Sequence, residues 1–123
     1  MLDDGVVHVI EDDLAMRDAL LLLLETAGFP ARGYGSAEDF LEKEGLGKRA
    51  CLLVDVRLPG MDGLTVIREA KRYKSDLPVI IITGFSTESS AIEAVNLGVA
   101  GYLTKPFRVP QVLAAAAKAL GDS

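Results

Sequence analysis

The sequence predicts an α/β fold built on one five-stranded parallel sheet with helices on both faces. Three observations lead there. Short β-rich runs alternate strictly with helical patterns along the whole chain, the arrangement of successive βαβ units. Val6–Ile10, Cys51–Val54 and Val79–Ile82 run apolar almost without interruption, as strands buried on both faces do. Each run ends in polar or turn residues, and right-handed crossovers between parallel strands place the intervening helices on the two faces.

The elements follow in order. Val6–Ile10 is the first strand. Ala15–Ala27 reads as the first helix, closed by Gly28 at a position that favours a left-handed backbone. Ala31–Tyr34 is a short second strand. Ser36 opens the second helix, with Asp39 three residues on as in a capping box, and that helix ends near Gly45. Ala50–Val54 is the third strand. Leu64–Tyr73 carries Leu64, Ile67 and Ala70 at helical spacing and forms the third helix. Pro78–Ile82 is the fourth strand, its proline tolerated at the first position. Ser90–Leu97 is the fourth helix, stopped by Gly98, and Gly101–Leu103 is the fifth strand. Val109–Leu120 is the last helix, with Pro110 in its first turn.

At 123 residues the chain fits a single domain, residues 1–123. Half the residues are hydrophobic and a quarter charged, a composition for a folded, soluble protein. The net charge of −5 argues against direct nucleic-acid binding, which needs a basic surface. Cys51 is the only cysteine, so no internal disulfide forms, and its place in an apolar run predicts a buried, inert thiol. The acidic start, Met1-Leu2-Asp3-Asp4-Gly5, does not read as a signal peptide. The apolar stretch Ala19–Leu24 is far too short to span a bilayer. A cytoplasmic protein without membrane contact is expected.

The chemistry gathers at strand ends. The first strand ends in Glu11-Asp12-Asp13, the third in Asp55, the fourth in Thr83-Gly84 and the fifth in Thr104-Lys105-Pro106. Parallel strands bring all of these to one edge, where ligands of open α/β sheets bind. Converging carboxylates call for a cation, and a hard divalent ion such as Mg²⁺ suits oxygen donors. Lys105 adds a positive charge, Thr83 a hydroxyl, and Gly84 an open backbone. Such a set can transfer phosphoryl groups, with Asp55 as nucleophile and catalysis mostly by charge stabilisation. Each residue also has an ordinary reading. Asp55 can cap the following turn, Glu11 and Asp13 can favour a helix N-terminus, Thr83 can cap the next segment, and Lys105 can be a solvated lysine.

Taken together, Glu11-Asp12, Asp55 through Gly63, Thr83-Gly84 and Lys105-Pro106-Phe107 resemble the receiver domain of two-component response regulators, a flavodoxin-like (βα)5 fold. Arg57-Leu58-Pro59-Gly60-Met61-Asp62-Gly63 with Ile82-Thr83-Gly84 is most similar to the FixJ-like subgroup, whose members often carry a DNA-binding output domain. The resemblance implies that Asp55 accepts a phosphoryl group from a histidine kinase or phosphotransfer protein in a phosphorelay. It implies that Glu11, Asp12, Asp55 and the backbone carbonyl of Arg57 serve Mg²⁺. Asp13 is a lesser candidate. Thr83 and Lys105 would contact the phosphoryl oxygens, Pro106 would follow a cis peptide bond, and Thr83 with Tyr102 would form the switch. Such a domain is a phosphoacceptor that assists its own phosphorylation and dephosphorylation, not an enzyme with a turnover substrate.

The same resemblance implies that the fourth helix, fifth strand and fifth helix form an output face. Phosphorylation would change that face to control homodimerisation or a transcriptional output domain outside this chain. Glu88, Glu93, Asn96, Arg108, Gln111 and Lys118 are its exposed candidates, and Ala91, Ala94, Ala115 and Ala119 either permit close approach or pack inside. Met16 and Arg17 are candidates for kinase contact. His8, the sole histidine, reads as a satisfied structural residue, so the phosphoryl donor comes from another protein. Two rivals remain. One is a phosphate-independent binding module, although Asp55, Thr83 and Lys105 are all present. The other is an aspartyl-phosphate phosphatase of the haloacid-dehalogenase kind, against which stands Arg57 where that motif has its second Asp. No Gly-x-x-x-x-Gly-Lys-Ser/Thr occurs, which excludes a P-loop enzyme.

Overall fold

The computed structural model of the chain describes residues 5–42, 50–55, 63–73, 76–84, 92 and 94–121. Five parallel strands form one sheet: β1 (Val6–Ile10), β2 (Ala31–Tyr34), β3 (Ala50–Asp55), β4 (Val79–Thr83) and β5 (Gly101–Thr104). Their spatial order is β2-β1-β3-β4-β5. Helices α1 (Leu14–Thr26), α2 (Ala37–Glu42) and α3 (Gly63–Tyr73) and a C-terminal helix, Val109–Ala119, cover the sheet. Of the predicted fourth helix, residues 92 and 94–96 are described and are helical.

The unbroken apolarity of the strands has its expected cause. The central strands β1, β3 and β4 are buried along nearly their whole length, and the edge strands β2 and β5 less so. Alternate residues feed two separate cores. Leu52, Val54 and Ile81 face α2 and α3, packing with Phe40, Val66, Ile67 and Ala70. Cys51, Leu53, Ile80 and Ile82 face α1 and the C-terminal helix, packing with Leu20, Leu24, Val112 and Ala116. Cys51 is fully buried, and that burial pushes its thiol up to about 12, so it is inert as expected.

Helix ends are set by local chemistry. Asp13 caps α1, its carboxylate accepting from the Ala15 and Met16 amides. At the other end Gly28 takes φ +94°, its N–H donates to Glu25 O, and the Phe29 N–H donates to Leu24 O, a Schellman closure. Ser36 Oγ accepts from the Asp39 N–H at 3.1 Å, as the spacing predicted. Arg108 precedes the C-terminal helix and donates its N–H to Gln111 Oε1 at 2.7 Å. Both residues were candidates for the output face; their contact with each other is a helix cap. Ala94 is buried, which places it inside.

His8 lies on β1 in a buried aromatic group with Tyr34 and Phe40, ring centroids 5.3–5.9 Å apart. Its Nδ1 is 3.0 Å from the Tyr34 hydroxyl. Its Nε2 is buried and has no partner among the described residues, so this histidine is only half satisfied. Burial, with the nearby Arg32 charge, lowers its pKa to about 4. The unfolded chain therefore takes up a proton at His8 that the folded chain refuses. The stability conferred by this neutral ring is present above about pH 6.5 and is lost as pH falls toward 4. Urea unfolding of wild type and His8→Phe across that window should show the wild type losing about 2 kcal/mol more. Parallel pH profiles would remove His8 from the acid response.

Among the described residues no helix is long and apolar enough to cross a membrane.

Candidate functional site

The strand order reverses direction between β1 and β3: β2 lies to one side of β1, while β3, β4 and β5 follow on the other. Crossover helices leave such neighbours on opposite faces, which opens a crevice at the carboxyl ends of the two strands. In register, Ile10 stands opposite Val54, so Glu11 and Asp55 follow side by side into that crevice. Two predicted carboxylates are thus neighbours because of sheet register.

The Glu11, Asp12 and Asp55 carboxylates each offer an oxygen within 4.8 Å of the others. Glu11 and Asp55 are buried, and Asp12 is exposed. Lys105, just past β5, reaches across the end of β4. Its Nζ donates to Asp55 Oδ2 at 2.9 Å and to Glu11 Oε1 at 3.3 Å. The position of Lys105 follows from its own backbone, whose N–H donates to the Thr83 carbonyl at 2.8 Å. The peptide bond from Lys105 to Pro106 is cis, as the resemblance implied.

The electrostatics are those of an anionic pocket whose carboxylates Lys105 bridges directly. Burial holds the Glu11 carboxyl above its ordinary pKa. The Asp13 N–H, donating to Glu11 Oε2 at 3.2 Å, and the Lys105 charge offset part of that rise. Burial works against the Lys105 ammonium too, but the hydrogen bond and charge of Asp55, with the charge of Glu11, outweigh it and raise its pKa. Three carboxylates facing one ammonium leave an excess of negative charge. The donors are all oxygen and carboxylate-rich, a set that fits a hard divalent cation such as Mg²⁺.

Thr83 is fully buried at the end of β4. By alternation it lies on the same sheet face as Ile81, and Tyr102 of β5 is in register with Ile81 and packs on that same core. The two predicted switch residues are therefore on adjacent strands and one face. Among the described residues a Cβ on Gly84 would touch only the Lys105 stem, at 3.6 Å. Asp13 serves as the α1 cap. Arg57, Gly60, Glu88, Ala91 and Glu93 lie outside the described residues.

One contact was missed in the sequence. Arg17, expected at a kinase interface, is half-buried and donates from Nη1 to the Glu11 carbonyl at 3.0 Å. A signal existed: Gly33 and Gly35 sit at alternate positions of and just beyond β2, leaving one face bare. Glycine in a strand often marks a close approach, and here the approaching group is the Arg17 side chain.

Comparison with known proteins agrees with this geometry. The model of the response regulator receiver domain matches residues 7–117. The transcriptional regulatory protein FixJ of Azorhizobium caulinodans is 39% identical over 117 residues, covering 95% of this chain and 56% of that protein. The response regulator protein TodT of Pseudomonas putida is 35% identical over 116 residues, covering 94% of this chain and 51% of its own length. The crystal structure of full-length FixJ from B. japonicum superposes with a TM-score of 0.83 at 37% identity, over 94% of this chain and 57% of that one. The chain thus spans about half the length of the curated relatives it matches. A sheet ordered 2-1-3-4-5, an acidic crevice bridged by a lysine, and a family match over most of its length place this chain in the response regulator receiver domain family, alongside FixJ-like relatives.

Proposed function

We propose that this domain, in the cytoplasm, accepts a phosphoryl group at Asp55, in the presence of Mg²⁺, from the phosphohistidine of a histidine kinase or phosphotransfer protein. The observation that carries the reading is the Asp55 carboxylate at the end of β3, 2.9 Å from Lys105 and within 4.8 Å of the Glu11 and Asp12 oxygens. An Asp55 oxygen attacks phosphorus, the bond from phosphorus to the histidine nitrogen breaks, and the imidazole leaves with that electron pair. Negative charge spreads over the phosphoryl oxygens in transit, so positioned positive charge lowers the barrier. Asp12 and Asp55, with Glu11 and the Arg57 carbonyl, would hold the Mg²⁺, which when bound would supply part of that charge. Lys105 supplies the rest by exchanging its carboxylate partners for phosphoryl oxygens.

The readout runs through Thr83. A new dianion on Asp55 favours donors that face it, and the Thr83 hydroxyl is one. Tyr102, on the next strand and the same face, follows. The face of the fourth helix, β5 and the C-terminal helix then changes, favouring a homodimer and controlling a transcriptional output domain outside this chain. FixJ and TodT, of which the matched region is about half, support an output of that kind.

Intact mass after incubation with acetyl phosphate tests this reading. One phosphoryl addition is expected with Mg²⁺ and none with chelator. A protein that stays unmodified with acetyl phosphate and with a phosphorylated kinase would instead be a phosphate-independent binding module.

A further inference from the structure

The geometry points to Arg17 as a positioning residue for the acidic site: its guanidinium fixes the Glu11–Asp12 peptide, and through it the Asp12 carboxylate, for a divalent cation. The inference rests on the Mg²⁺-dependent reading above and adds a residue that touches neither the metal nor the phosphoryl group.

A peptide group is planar, so the direction of the Glu11 carbonyl also sets the Asp12 N–Cα direction from which the Asp12 side chain departs. That carbonyl accepts from Arg17 Nη1 at 3.0 Å. The flanking groups have their own anchors. The Glu11 N–H donates to the Tyr34 carbonyl at 3.0 Å, and Asp13 is held by capping α1 and by donating its N–H to Glu11 Oε2. Arg17 is the anchor of the link between them. Asp12 is the exposed member of the carboxylate trio, so its placement depends most on the backbone beneath it.

The fold makes room for this tether at a cost to β2. A Cβ on Gly33 would stand 2.8 Å from Leu21 Cδ1 and 3.1 Å from Arg17 Cγ and Cδ. A Cβ on Gly35 would stand 2.9 Å from Arg17 Nη1. Two glycines in alternation weaken strand packing and cost chain entropy. In return the Arg17 stem lies against the bare face and its head reaches the carbonyl.

Charge and positioning predict opposite signs, which makes the test decisive. A guanidinium near the carboxylates repels a cation, so a purely electrostatic role means that neutralising Arg17 tightens Mg²⁺ binding. A positioning role means that it weakens binding. We expect Arg17→Met, which keeps an unbranched apolar stem, to weaken Mg²⁺ binding about tenfold in titration calorimetry, as loss of a ligand-orienting partner does. Arg17→Lys should recover part of the loss. Gly35→Ala, which crowds the guanidinium but keeps its charge, should weaken binding in the same direction and stands in if Arg17→Met does not fold. The acetyl phosphate reaction of the variants should be slow at low Mg²⁺ and approach the wild-type rate at saturation. Variants that bind Mg²⁺ as tightly as wild type, or more tightly, while only their metal-free stability falls, would leave Arg17 a packing residue. A wild type that binds no Mg²⁺ would overturn the phosphoacceptor reading itself.

Discussion

Asp55→Asn should abolish phosphorylation by acetyl phosphate or by a kinase while leaving the fold intact. The amide is nearly isosteric with the carboxylate but is a poor nucleophile and a weak metal ligand, so both the bond-forming atom and one cation ligand are lost together. The residue is 7% exposed and terminates β3, so its space must be filled, and Asn fills it. Lys105 keeps a partner in Glu11 at 3.3 Å, so its ammonium is not stranded. The expected result is an unmodified mass under conditions that fully modify wild type, with an unfolding midpoint close to wild type without metal. The stabilisation that Mg²⁺ gives wild type, RT ln(1 + [Mg²⁺]/Kd), should shrink. A phosphoryl group found on the variant would move the acceptor elsewhere. Loss of folding would make Asp55 structural.

Lys105→Met should act in the reverse pattern, on stability first. Removing one member of a buried ion pair costs about 3–5 kcal/mol because the partner charge stays buried. The Lys105 side chain is 26% exposed, so about 2 kcal/mol is the expected loss, a fall of roughly 6 °C in Tm. Glu11 gives the pH signature. Its folded pKa is raised, above all by burial, so the folded chain holds this proton to higher pH than the unfolded chain does. Its contribution is therefore most favourable in acid and is lost as pH rises through the folded pKa. Lys105 opposes that rise, so the variant should lose stability more steeply than wild type between acid and neutral pH. Added Mg²⁺ should restore much of the loss, since a cation then replaces the ammonium. Phosphorylation of the variant should no longer drive dimerisation, as light scattering would show. A variant as stable as wild type without metal, with its dimerisation intact, would remove Lys105 from both roles.

What the sequence disclosed, and what it withheld, follows from the range of each interaction. Strands and helices were legible because they depend on neighbours: apolar runs, Ser36 as a cap, Gly28 as a stop. Boundaries moved by a residue or so; β4 ends at Thr83 and α1 begins at Leu14, because capping by Asp13 admits one more residue. The site residues were legible as types at strand ends. Their mutual distances were not, since these depend on strand order and on the Ile10–Val54 register. Arg17 escaped for the same reason. Its partner is a backbone carbonyl, which has no residue identity, and its cradle is an absence of side chains in β2. That His8 Nε2 finds no partner among the described residues was equally invisible, because satisfaction is a property of the packed state.

The partners at the site are far apart in the chain: Lys105 meets Asp55 across 50 positions and Glu11 across 94. No fragment ending before Lys105 holds the set, whatever local structure it has. A chain emerging from the ribosome therefore lacks the lysine-bridged site until its fifth strand is made and docked. Damage that frees that strand would take the lysine from the two carboxylates even while the other strands stay paired. The assembled site is thus a report on the completeness of the fold, and on the proposed reading the step that needs Lys105, passing the signal on, would be restricted to fully folded molecules.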